Sequence, residues 1–237
     1  MNKAVFNWSG GKDSALALYY VLQQNQFEVT SLLTTINSKY NRISMHGVRK
    51  ELLHEQSNSI GIPVKEIVLP EMPSMSDYNN IMKKTMLELK ESGVEYSIFG
   101  DIFLEDLKKY REEKLKEVGI KPLFPLWKRN TSELIREFID LGFKTIVVCA
   151  NSQLGTDFTG RVIDNDFLRD LPKGIDPCGE NGEFHTFVFD GPIFKAPVKF
   201  EIGEKISRDF PVPKEDEDSC GTNNESATFY YCDLIPL

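Results

Sequence analysis

Six residues in a row, Ser9, Gly10, Gly11, Lys12, Asp13 and Ser14, stand between an apolar run (Ala4, Val5, Phe6) and a helical pattern (Ala15, Leu16, Leu18, Tyr19, Leu22). A glycine pair joining a buried strand to a helix leaves main-chain N–H groups at the helix's positive end. That end carries roughly half an elementary charge and about four N–H groups without intrahelical partners. Such a turn attracts anions, and two serines with a lysine suit it to phosphate. It differs from the common phosphate loop, G-x-x-x-x-G-K-[ST], because Lys12 directly follows the glycines. The plainer reading is a tight strand–helix turn capped by serine and aspartate. Six suitable residues in a strand–turn–helix context favour a nucleotide site.

A second stretch with chemical content runs from Cys178 to Pro192. Glu180 and Glu183 lie three apart on a glycine-bearing turn that enters a strand pattern. Carboxylates at a strand mouth can hold Mg²⁺, receive an amine or act as a base, whereas the plainer reading is an ordinary acidic turn. His185 by itself reads equally as a packed imidazole and as a catalyst. Between Ser44 and Arg49, His46 and Arg49 suit a carboxylate or phosphate, since arginine forks onto oxyanions; a capping loop with incidental charges fits as well. Trp127, within residues 122–129, reads as pocket wall or core.

The intervening pattern alternates. Residues 29–34, 64–69, 96–99 and 144–149 read as further buried strands. Residues 49–60 (closed by Gly61), 78–92 (ending at Gly93), 104–118 and 131–141 read as helices. Strands alternating with helices predict an α/β fold, a mainly parallel twisted sheet with helices on both faces. Ligands of such sheets bind beyond the carboxyl ends of the strands. The turn at residues 9–14, the segment at Thr34, and Gly100-Asp101 all follow strands and are expected at one rim. Past residue 150 the character changes. Residues 155–169 read as a helical excursion, 183–189 as a strand, and 198–202 with 228–234 as an antiparallel ribbon. Residues 211–226 carry Lys-Glu-Asp-Glu-Asp and read as a solvated, mobile loop. The expected division is a nucleotide-binding domain at 1–150 and a smaller α+β substrate-binding part at 151–237.

With 237 residues, 41% hydrophobic and 27% charged, the chain has a globular balance. A formal net charge of −8 argues against broad nucleic-acid or anionic-membrane binding. The sequence has no apolar run of membrane-spanning length and no basic-then-apolar start, so a cytoplasmic protein without a membrane partner is expected. Cys149, Cys178, Cys220 and Cys232 are scattered without a C-x-x-C pair. A zinc or dithiol centre is therefore not expected, and a reducing compartment is.

Taken in order, the turn at 9–14, His46-Gly47 before a helix, Gly100-Asp101-Ile102, Pro125-Leu126-Trp127 with Arg129, and Gly179-Glu180-x-Gly182-Glu183-x-x-Thr186-Phe187 resemble the diphthine–ammonia ligase family. That family belongs to the PP-loop (N-type) ATP pyrophosphatases, which cleave ATP between its α and β phosphates. The resemblance covers residues from about 3 to about 202 and is closest to the bacterial branch. Asn181 stands where the family usually has glycine, and His185 where it usually has glutamate. The resemblance implies a Rossmann-like fold of the adenine nucleotide alpha hydrolase type. It implies ATP held by Ser9, Gly10, Gly11, Lys12, Asp13, Ser14, Thr34, Gly100 and Asp101, with the adenine near residues 33–36. Mg²⁺ would lie on Asp13 and Asp101. Lys12, Asp13, Glu180 and Glu183 would be catalytic, and His46, Arg49, Trp127, Glu180, Glu183 and Thr186 would meet the acceptor. The implied activity is an ATP-dependent ligase that adenylates a carboxylate and transfers free ammonia. Bacteria do not make diphthamide, so elongation factor 2 is the acceptor only if the named activity carries over. A homodimer is a candidate assembly. The rivals are an ATP or AMP sensor without turnover and a PP-loop enzyme acting on RNA or another small molecule.

Overall fold

A computed structural model describes residues 1–43, 46–211 and 226–237. The first apolar run becomes β1 (Asn2–Asn7). It lies between β2 (Phe27–Asn37) and β5 (Tyr96–Ile98), parallel to both. β4 (Val64–Leu69) pairs parallel with the far side of β2, and β6 (Lys121–Leu123) parallel with β5. β3 (Arg42–Ile43) runs antiparallel to the end of β2. Residues alternate across a strand, so Ala4 and Phe6 enter one apolar layer and Val5 the other. The sheet is therefore buried on both faces, which is why its strands read as continuous apolar runs.

The helices form where caps and periodicity coincide. α1 (Lys12–Gln24) begins at Gly11 and ends on Asn25 in the left-handed region. α2 (Lys50–Ile60) ends at Gly61, also left-handed, as its sequence predicts. α3 (Met75–Glu91) starts three residues before the expected 78, because Ser74 and Asp77 form a reciprocal capping box. α4 (Glu105–Val118) closes at Gly119, and α5 (Thr131–Asp140) is capped by Asn130, whose side chain accepts the Glu133 N–H.

The strand expected at 144–149 forms as β7 (Lys144–Asn151), but it does not join the parallel sheet. It pairs antiparallel with β8 (Phe184–Asp190) and with β10 (Ser226–Pro236), which in turn carries β9 (Phe200–Pro211). A strand buried on both faces reads alike in either sheet, so its pairing is decided by what reaches it from afar. α6 (Gly155–Phe158) and α7 (Asn165–Asp170) make up the helical excursion. One apolar layer runs from Phe6 and Leu18 through to Val147 and Phe187, so the two sheets share a core. Ser44, Met45, Cys220 and the loop expected at 211–226 fall wholly or largely outside the described residues. Among those described, no helix is long and apolar enough to cross a membrane.

Candidate functional site

The chain passes from β1 to β2 on one side and returns through β4 and α3 to β5 on the other. β1 and β5 therefore flank the point where the winding reverses. In doubly wound sheets the crevice at that point is where ligands sit. A cleft of about 670 Å³ lies there, walled by Ser9, Gly11, Lys12, Asp13, Ser14, Thr34, His46, Gly100, Asp101, Glu180 and Thr186. The rim expected from topology alone is thus formed, and the turn entering β8 brings Glu180 to it while β8 itself brings Thr186.

The glycine turn is held from three sides. Gly10, at φ 78°, lends its carbonyl to the Val188 N–H (2.9 Å) and to Gln56 Nε2 (3.0 Å). Gln56 Oε1 accepts the Trp8 indole N–H at 2.9 Å, and Thr34 Oγ1 donates to Trp8 O at 2.8 Å. The Gly11 N–H goes to Ser9 Oγ (3.2 Å), the Lys12 N–H to Thr186 Oγ1 (3.0 Å), and Ser14 Oγ donates back to Gly11 O (2.8 Å). A side chain at Gly100 would bring its Cβ to 2.9 Å from the Ser14 nitrogen, so only glycine lets the β5 loop close on the first turn of α1. The start of α1 and β8 are consequently one rigid unit.

Charge is concentrated here. Lys12 is only 4% exposed, and its Nζ lies 2.8 Å from Asp13 Oδ2 and 5.3 Å from the centre of the Phe184 ring. Burial is the largest influence and works against the Lys12 charge, but the surrounding acidic groups, Asp13 foremost and then Cys178 and Glu180, together leave the pKa raised. Burial likewise raises Asp13 against the pull of Lys12, and raises Asp101 against that of Arg111. Asp101 Oδ2 sits 3.2 Å from Arg111 Nε but receives no aligned hydrogen bond. Glu180 accepts the Ile102 N–H at 2.8 Å; burial first, and the Asp13 charge second, push it up to about 7. His185 is lowered to about 4 by burial and by Lys12, so it is a neutral imidazole at pH 7, its ring centre 4.7 Å from that of His46. The cleft therefore combines a helix N-terminus and a buried cation with three carboxyl groups that resist ionisation.

Four of the residues expected at the site do not wall the cleft. Gly10 lies behind the turn, its carbonyl held by Val188 and Gln56. Glu183, 6% exposed, turns into its own loop, where Oε1 accepts the Asp176 N–H (3.1 Å) and Asn181 Nδ2 (3.1 Å), and Oε2 the Asn181 N–H (3.0 Å). Arg49 is taken by Asp233, which also receives Arg42. Trp127 packs beside Phe124 under Lys108. In exchange the fold supplies residues that sequence reading missed. Gln56 is a buried amide on the apolar face of α2, legible only as a polar residue in phase with Leu52 and Leu53. Asp176 fixes Glu180 by accepting its N–H at 3.0 Å, and Arg111 carried no signal beyond a charged helix.

Fold and cleft define a doubly wound α/β protein whose first crossover presents a glycine turn and a buried lysine at the switch point. The chain belongs to the diphthamide synthase family: the model of that family's N-terminal domain matches residues 1–122, and that of its C-terminal domain residues 130–210. It is similar to the diphthine–ammonia ligase of Homo sapiens, 32% identical over 111 residues, which are 44% of this chain and 41% of that one. It is also similar to the diphthine–ammonia ligase of Danio rerio, 25% identical over 142 residues, 56% of this chain and 53% of that one. The matched segments thus span about half or less of these relatives' length. Among solved structures it is similar to a predicted subunit of a tRNA methyltransferase from Methanocaldococcus jannaschii (TM-score 0.42, 16% identity, 62% of this chain and 80% of that one).

Proposed function

We propose that the chain is an ATP-dependent ligase that activates a carboxylate as its adenylate and passes it to ammonia. The observation that carries this reading is the meeting, in one cleft, of the α1 N-terminus with Lys12 and of the loop that presents Glu180. ATP lies with its outer phosphates toward the start of α1, where the helix dipole and Lys12 balance charge gathering on the leaving pyrophosphate. An acceptor carboxylate oxygen bonds to the α phosphorus while the bond to the β-phosphate oxygen breaks, and pyrophosphate leaves. Ammonia then attacks the acyl carbon; AMP leaves and one proton is released. Glu180, poised near pH 7, accepts that proton or holds the incoming ammonium. Thr186 keeps the helix start in place rather than reacting.

Mg²⁺ fits this cleft: Asp101 offers a buried carboxylate oxygen without an aligned donor, and Asp13 lies beside it. Among the described residues no group of three or more protein ligands gathers, which suits an ion that takes much of its coordination from phosphates and water. When bound, it would supply charge neutralisation on the triphosphate. Diphthine on elongation factor 2 is one acceptor to assay.

The test incubates the protein with ATP, Mg²⁺, ammonium and candidate carboxylates and follows AMP and pyrophosphate. Both products should accumulate together, and Lys12→Ala should lower their formation at least a hundredfold while the variant still folds. Release of ADP instead, or undiminished turnover by Lys12→Ala, would refute the reading.

A further inference from the structure

A second depression lies between α3 and α4 and takes no part in the chemistry above. It encloses about 230 Å³, and its floor is apolar: Met82, Met86, Phe99 and Leu115. It meets the cleft along a shared wall that includes Tyr78, Met82 and Arg111, yet Lys12 and the glycine turn stay outside it. At the outer rim Lys83 and Lys114 share the single Glu117 carboxylate, each at 3.0 Å, and stand exposed, so water screens their pull on an anion there. The cation that matters is at the inner end. Arg111 lies over the Phe99 ring, its guanidinium carbon 4.3 Å from the ring centre, with Nε toward Asp101 at 3.2 Å. Among the described residues its two terminal nitrogens carry no hydrogen bond. Arginine presents such a pair of donors in a fork that matches a carboxylate. Methionine-rich floors adapt to chains of varied shape.

We propose that this groove seats the tail of the acceptor, which is therefore a small carboxylic acid with an aliphatic or aromatic tail. The tail lies on Met82, Met86 and Phe99, and the carboxylate rests on Arg111 where groove and cleft meet. That junction puts the acid's oxygen at the mouth of the cleft assigned to ATP, so the inference rests on the ligase reading while adding the acceptor's class. The groove walls, not the glycine turn, then choose the acid. Burying each further methylene should tighten binding about fourfold until the groove is filled.

Saturation-transfer NMR with acetate, butyrate and hexanoate tests this, with 1-hexanol as the tail without the acid. Each is titrated with and without α,β-methylene-ATP, whose own affinity is measured by calorimetry. Hexanoate should bind at least tenfold tighter than acetate and at least tenfold tighter than 1-hexanol. Met86→Trp, which fills the floor, should lose at least tenfold for hexanoate and keep its affinity for the nucleotide. The proposal is overturned if hexanoate and acetate bind alike, if the alcohol matches the acid, or if a folded Met86→Trp keeps the wild-type preference for length. Should that variant not fold, the unmutated series decides alone. Failure of α,β-methylene-ATP to bind would strike the ligase reading instead, since the acid series is also read without nucleotide.

Discussion

Glu183→Ala separates chemistry from scaffolding. The Glu183 side chain accepts three N–H groups, from Asp176, Asn181 and the Asn181 amide, at 3.0 to 3.1 Å, and is 6% exposed. Removing it strips partners from two main-chain amides in a loop that is itself half-buried. At about 1 kcal/mol for each lost bond, the value for an ordinary neutral pair, taken because water can reach part of the loop, the loss is about 3 kcal/mol. In a protein of this size each kcal/mol lowers Tm by about 2–4 °C, so scanning calorimetry should record a fall of about 6–12 °C. Glu183→Gln keeps one acceptor oxygen and should fall by about half as much. Ligase turnover should drop in proportion to the disorder passed to Glu180, because Asp176, which Glu183 holds, is what fixes Glu180. If Glu183→Ala melts with the wild type and yet forms no product, the carboxylate meets the reacting groups, and the scaffolding argument is wrong.

Glu180 sits near 7, above its unfolded value, so the folded protein binds more protons than the unfolded chain between about pH 4.5 and 7. Ligand-free stability should therefore decline as pH rises through that window, and turnover should rise with an apparent pKa near 7; Glu180→Gln should flatten both, as melts and a pH–rate profile will show. For Asp233, burial is outweighed by hydrogen bonds from Arg49 and Arg42, which pull the carboxyl down to about 2. Its contribution is present above about pH 4 and fades as pH falls toward 2, and Asp233→Asn should erase that part of the acid-denaturation curve measured by circular dichroism. Gln56→Ala takes the Gln56 amide from Trp8 Nε1 and Val188 O and one of two donors from Gly10 O, which keeps the Val188 N–H. It should cost about 2–4 kcal/mol in urea melts and weaken nucleotide binding measured by calorimetry, because the turn loses its brace.

The most local features were the most legible. The 9–14 turn, the Gly61 cap and the alternation of strands with helices depend on neighbours a few residues away, and each appears where its sequence predicts it. Sequence spacing made Glu180 and Glu183 look equivalent, for two carboxylates three apart on a turn carry no sign of which faces inward. Arg49 looked available to an anion until Asp233, 184 residues further along, took it. Trp127 offered the choice of wall or core, and packing beside Phe124 sets it away from the cleft.

By itself the sequence determined that a helix would start just past a glycine pair at the end of a buried strand, with a lysine at its first position. Short-range sterics and the peptide dipole suffice for that. Only the tertiary structure decided that β7 would leave the parallel sheet and bring β8 against that helix start, where Thr186 takes the Lys12 amide and Val188 the Gly10 carbonyl. Hydrogen bonds across some 175 residues depend on which strand edges remain open once the chain has collapsed, and no window of sequence carries that information.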